Sequence, residues 1–87
     1  MFGRVRDPQS LGAAVRQARD VRGWTQEELA KAAGVSRAFV VGLERGARPR
    51  AELFRVLAVV RALGKALTFI DDERPGSFDQ TLDEILG

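Results

Sequence analysis

At 87 residues the chain is long enough for one small domain, and its lack of cysteine and histidine excludes disulfides, thiol chemistry and the commonest zinc and copper ligands. The net charge of +2 is unevenly divided, since residues 1–70 carry 13 Lys/Arg against 6 Asp/Glu, whereas residues 71–87 carry 1 against 6. A basic body is typical of a nucleic-acid-binding protein, and an acidic tail indicates a separate surface for another protein.

The N-terminal residues lack the apolar run of a signal peptide, and no stretch approaches the roughly 20 apolar residues that cross a bilayer. We therefore expect a cytoplasmic, soluble protein with no membrane contact. Residues 1–7 contain Arg4 and Arg6 and are interpreted as a flexible basic arm that follows the backbone or minor groove of a nucleic acid. A first helix is predicted to start at Pro8, because Asp7 is a suitable N-cap acceptor and proline is the residue best tolerated at the first helical position.

Two short helices separated by a tight turn are predicted next. Thr25 and Glu28 have the spacing of a capping box, so the second helix begins there and ends at Gly34, which favours a left-handed stop. Ser36 can cap a third helix, which Gly46 ends. Such a pair forms a helix-turn-helix, in which the second helix is presented to a groove of DNA.

A fourth helix is predicted from about Arg50 to Leu63, with core-facing residues Leu53, Val56, Leu57 and Val60. The following stretch ALTFI is too short for another helix and is interpreted as a single strand. An unpaired strand exposes backbone groups, so pairing with a second copy across a two-fold axis is expected. The predicted dimerisation residues are Ala66, Leu67, Thr68, Phe69 and Ile70.

The predicted fold is therefore all-α, with four or five helices and one C-terminal β-strand that pairs in a homodimer. We divide the chain into the arm 1–7, a helix-turn-helix domain 8–64, a dimerisation strand 65–71 and an acidic tail 72–87. A second capping box in the tail precedes apolar residues at helical spacing. These are candidate docking residues for a partner protein: Phe78, Leu82, Ile85 and Leu86.

The outward side of the third helix is the candidate DNA-reading surface. With Val40 and Leu43 turned inward, Phe39 lies at the flank and the candidate base-reading residues are Ser36, Arg37, Ala38, Val41 and Gly42. Small side chains at 38 and 42 allow a close approach, and Arg37 can bond guanine O6 and N7. The alternative makes Arg37 a solvated surface arginine and Val41 or Phe39 a protein contact. The candidate phosphate-binding residues are Thr25, Gln26, Arg45, Arg48 and Arg50.

The chain resembles the Xre/Cro-type, lambda-repressor-like helix-turn-helix regulators at Gln26, Ala30, Gly34, Val35, Val40 and Leu43, and at LERG, residues 43–46. In this family an arginine late in the first helix pairs with the glutamate that ends the recognition helix. The resemblance therefore implies a partly buried, structural salt bridge between Arg19 and Glu44.

A narrower resemblance, to HipB-type antitoxins, is carried by LGAAVRQAR, TQEELAKAAGVSRAFVVGLERG and RVLAVVRALGKALTFIDD in that order. It implies a homodimer that binds a palindromic operator in double-stranded DNA, represses its own operon and neutralises a HipA-like kinase toxin. The alternatives are a stand-alone repressor without a toxin and a protein-interaction adaptor that uses the same fold. No cofactor, metal or small-molecule substrate is expected, and an enzyme is disfavoured because no histidine can act as a base.

Overall fold

The computed structural model describes residues 4–48 and 50–72, and this part of the chain contains four α-helices. They are α1 (Pro8–Val21), α2 (Gln26–Ala33), α3 (Arg37–Glu44) and α4 (Leu53–Ala62). Helix α2 packs against both α3 and α4, and α1 packs against α3. The predicted all-α class with four helices is thus confirmed.

Side-chain caps fix the starts of the first three helices. The Asp7 carboxylate accepts from the Ser10 amide at 2.7 Å, and the Ser10 hydroxyl accepts from the Asp7 amide at 3.0 Å. Thr25 and Glu28 form the predicted capping box, with bonds of 3.0 and 2.8 Å. The hydrogen bond from the Ser10 amide lowers the pKa of the Asp7 carboxyl, and the hydrogen bond from the Thr25 amide lowers the pKa of the Glu28 carboxyl. The Ser36 hydroxyl accepts from an amide one turn later, at 3.0 Å, and caps α3 as predicted.

The turn between α2 and α3 depends on Gly34. Its φ of 72° lies in the left-handed region, where a side chain would be strained. The Val35 amide donates to the Ala30 carbonyl at 3.0 Å, which closes the end of α2 as predicted. The chain then reaches Ser36 in extended conformation and begins α3 at Arg37, three residues after the glycine.

The buried core draws on all four helices and comprises Val15, Leu29, Ala30, Phe39, Val40, Leu43, Val56, Val59, Val60 and Leu63. The flanking position predicted for Phe39 was wrong, because this side chain is only 4% exposed. The core position predicted for Leu53 was also wrong, since it is 66% exposed. Residues 53–60 read LFRVLAVV, so two different apolar stripes along α4 have helical spacing. The stripe that starts at Val56 is the buried one, because α4 packs against α2 on that side.

Helices α1 and α3 are in close backbone contact at Gly12, which is buried. A Cβ at this position would clash with the Leu43 carbonyl oxygen and lie 2.7 Å from the Glu44 carbonyl oxygen. These are backbone atoms that cannot move aside without shifting α3. The absence of a side chain at Gly12 therefore sets the distance between α1 and the end of α3.

Beyond α4, residues 65–72 form neither a helix nor a paired strand in the single described chain. The strand expected over 65–71 remains a prediction, since a ladder requires a partner. The candidate tail helix and its residues Phe78, Leu82, Ile85 and Leu86 lie outside the described residues. Among the described helices, none is long and apolar enough to span a membrane.

Candidate nucleic-acid interface

The outward side of α3 presents five predicted base-reading residues in two groups. Ser36, Arg37 and Ala38, at the start of the helix, are exposed. Val41 and Gly42, one turn later, are half-buried. The opposite side of the same helix is in the core, so the helix has one face fixed and one face open to a ligand.

Gly42 is covered by Arg48, which follows the helix. A Cβ on Gly42 would lie 2.8 Å from the Arg48 Nε and 3.2 Å from its Cγ. The Arg48 guanidinium also stacks on the Phe39 ring, 5.0 Å from the ring centroid. The small residue at 42 therefore makes room for an arginine of the same chain, whereas the sequence had suggested room for a close approach to the groove floor.

A recess beside α3 is lined by Thr25, Gln26, Glu27 and Arg37. The backbone amides of Gln26 and Glu27 lie in the first turn of α2 and have no hydrogen-bond partner within the described chain. Such amides, together with the positive end of the helix dipole, attract an anion. Arg37 adds a positive charge to the recess, and Glu27 is an acidic side chain that opposes it.

Arg19 and Glu44 form the ion pair that the family resemblance implied. The Arg19 Nε lies 2.7 Å from Glu44 Oε2, and Nη2 lies 3.0 Å from Oε1. The two side chains are 12% and 4% exposed. The hydrogen bond to Glu44 raises the pKa of Arg19, which stays charged.

Two further groups join this pair into a network. Arg19 Nη1 donates to the Trp24 carbonyl at 2.8 Å, and Gln26 Nε2 donates to Glu44 Oε1 at 3.2 Å. The network therefore ties the end of α1, the start of α2 and the end of α3 together. The Gln26 side chain donates one of its two N–H groups to Glu44, which leaves its second N–H and its backbone amide as donors at the recess.

The other predicted phosphate-binding arginines surround the end of α3. Arg45, Arg48 and Arg50 are all exposed, and they follow the recognition helix within six residues of its end. With Arg37 at the helix start, cationic groups border both ends of the outward surface. This distribution of charge suits a polyanion that passes across α3.

The predicted dimerisation residues follow α4 and are all exposed. Leu67, Phe69 and Ile70 are 51%, 103% and 58% exposed, which is unusual for large apolar side chains. Among the described residues, no backbone hydrogen bond involves an amide or carbonyl of residues 66–71. Exposed apolar side chains and backbone groups without hydrogen bonds are together typical of an edge on which another chain can pair.

Arg6, assigned from the sequence to the flexible arm, makes a defined contact with this segment. Its Nε and Nη2 lie 3.0 and 2.8 Å from the two carboxylate oxygens of Asp72. Sequence reasoning missed this pair because the residues are 66 positions apart. It missed the Trp24 carbonyl as well, since a backbone acceptor has no signature in the sequence.

Comparison with known proteins agrees with this geometry. The helix-turn-helix family HTH_3 matches residues 15–70. The uncharacterized HTH-type transcriptional regulator y4mF of Sinorhizobium fredii is 39% identical over 70 residues, which cover 80% of this chain and 91% of that protein.

Two solved structures give the same picture. The restriction-modification controller protein C.AhdI from Aeromonas hydrophila is 34% identical, with a TM-score of 0.62 over 67% of this chain and 86% of that chain. A chain of the HipA-HipB-O2-O3 complex is 29% identical, with a TM-score of 0.72 over 83% of this chain and all of that chain. The chain therefore belongs to the Xre/Cro-type helix-turn-helix family of DNA-binding transcriptional regulators, with HipB among its structural relatives.

Proposed function

We propose that the chain is a homodimeric antitoxin that reads a palindromic operator with α3, represses its own operon and neutralises a HipA-like toxin. The observation that carries the DNA-binding part is the open face of α3, with Arg37 at one end and Arg45, Arg48 and Arg50 at the other. The opposite face of α3 is locked in the core, so the open face is available for a ligand.

Arg37 is proposed to read a guanine, because it is exposed at the start of α3 and its planar fork matches the O6 and N7 acceptors. Ala38 allows the helix to enter the major groove, and Val41 can contact a thymine methyl group. Ser36 caps the helix with its hydroxyl and borders the same face. Gly42 acts indirectly in this proposal, because its lack of a side chain leaves space for Arg48.

Phosphate groups are proposed to bind on two sides of α3. On one side the free amides of Gln26 and Glu27, with the exposed Thr25, receive a phosphate at the start of α2. On the other side Arg45, Arg48 and Arg50 neutralise the backbone. These contacts position the protein without reading sequence.

A toxin partner is proposed from likeness to the HipA-HipB-O2-O3 complex, which contains HipB together with HipA. The likeness to C.AhdI, a restriction-modification controller, favours the second candidate, a regulator with no toxin. Co-purification with a HipA-like protein encoded beside this chain distinguishes the two. Failure of the pair to associate at micromolar concentration would favour the stand-alone regulator.

The DNA-binding role is tested by fluorescence anisotropy on duplexes selected from a random library. Arg37→Ala should weaken binding to the selected duplex by about 1–3 kcal/mol and relax the preference at one base pair. Arg61→Ala, which removes an exposed arginine from α4, is the matched control and should leave this preference unchanged.

Salt dependence provides the second arm of the experiment. The logarithm of the binding constant should fall with the logarithm of salt concentration by about 0.9 for each phosphate neutralised. A uniform loss across all duplexes for Arg37→Ala would instead assign Arg37 to a phosphate at the recess. A wild-type protein that ignores every duplex at low salt would refute the DNA-binding proposal.

A further inference from the structure

We propose that the Arg6–Asp72 ion pair is a positioning contact that holds residues 66–71 ready to bind a second copy of the chain. This inference rests on the proposed homodimer and adds the N-terminal residues to its interface. The arm would thereby serve protein association, in addition to or in place of the DNA contact expected from its sequence.

The geometry of the pair supports a positioning role. Both carboxylate oxygens of Asp72 are engaged by the fork of Arg6, at 2.8 and 3.0 Å, and a two-point contact fixes orientation as well as distance. Arg6 is itself anchored to α1, because its backbone amide donates to the Ser10 hydroxyl at 2.8 Å. The end of the 66–71 segment is therefore tied to the capped start of α1.

Apolar contacts continue the attachment along the segment. Val5 and Leu67 line the same cavity of about 390 Å³, together with Leu11 of α1 and Leu53 of α4. Val5 and Leu53 are 47% and 66% exposed, so this apolar surface is incompletely covered within one chain. It adjoins the segment that contains the exposed Phe69 and whose backbone makes no backbone hydrogen bond among the described residues.

A second copy fits this surface better than an unrelated protein. The unpaired backbone of residues 66–71 can pair with its own copy about a two-fold axis, which satisfies both edges at once. The adjoining Val5 and Leu53 would then face the same two-fold region. Because Arg6 and Asp72 pair within one chain, each of these two charges has an opposite charge beside it at the proposed interface.

The test uses the full chain and three variants: Arg6→Glu, Asp72→Arg and the exchanged double variant. Dimer dissociation constants are measured without DNA by sedimentation equilibrium. Each single variant should weaken the dimer by about threefold to tenfold, because an exposed ion pair is broken in both protomers, and the double variant should recover most of the loss. A pure net-charge effect would move the two single variants in opposite directions and would overturn the proposal.

A matched control separates this role from general surface electrostatics. Arg16 and Asp20 form an exposed ion pair on α1 at 3.9 Å, and Arg16→Glu should leave the dimer unchanged. Hydrogen exchange of the amides of residues 66–71 should be slow in the wild-type dimer and faster in both single variants. Unchanged dimerisation in Arg6→Glu and Asp72→Arg would refute the positioning role alone, whereas a wild-type chain that stays monomeric would refute the proposed homodimer itself.

Discussion

Removal of Glu44 should destabilise the fold far more than loss of an ordinary surface ion pair. Glu44→Ala removes two hydrogen bonds from Arg19 and one from Gln26, and leaves a guanidinium that is 12% exposed. Breaking a buried pair costs about 3–5 kcal/mol, because the remaining charge is uncompensated. Arg19 still contacts the Trp24 carbonyl at 2.8 Å and the Asp20 carboxylate at 3.3 Å, so we expect the lower end, about 3 kcal/mol.

Thermal unfolding followed by circular dichroism measures this loss. For a domain of this size each kcal/mol lowers the Tm by about 4–8 °C, so Glu44→Ala should lower it by about 12–24 °C. Arg19→Met combined with Glu44→Leu should cost less than either single change, because no buried charge is then left unpaired. A decrease of less than about 1 kcal/mol, the value of an exposed pair, would refute the reasoning.

The remaining predictions concern the space that Gly42 leaves for Arg48 and the capping box at the start of α2. Gly42→Ala should keep or raise the Tm, since alanine favours the helix by about 1 kcal/mol, yet weaken operator binding by displacing Arg48. Binding measured in a double-mutant cycle should show no further loss when Gly42→Ala is added to Arg48→Ala; an undiminished second loss would mean that Gly42 itself approaches the DNA. The pKa of Glu28 is lower in the folded chain than in the unfolded chain, so its stabilisation is present above the unfolded pKa and is lost as the pH falls through the folded pKa. Glu28→Gln should therefore lose less Tm than wild type between pH 5 and pH 3 in calorimetry, and parallel curves would contradict this assignment.

The local features of the fold could be predicted because their causes lie within a few residues. The hydroxyl of Ser36, the left-handed Gly34 and the Thr25–Glu28 box act over one helical turn, so their spacing in the sequence is sufficient. The family resemblance added the Arg19–Glu44 pair, a contact between residues 25 positions apart that no local pattern indicates.

The rest depended on packing that the sequence leaves open. Phe39 is buried although it was expected at the flank, and Leu53 is exposed although it was expected in the core, because α3 and α4 each contain more apolar residues than one buried stripe requires. Which stripe is buried is decided by the neighbouring helices. Gly12 gave no signal, because its importance comes from carbonyl groups of α3 that are distant in the chain.

The backbone contact at Gly12 has a consequence for engineering. The distance between α1 and the C-terminal end of α3 depends on main-chain atoms at Gly12, Leu43 and Glu44, and none of the outward side chains takes part in that contact. Residues 37, 38 and 41 can therefore be varied in a library while this contact between α1 and α3 is retained. The chain is consequently a suitable scaffold for selecting repressors of new target sequences.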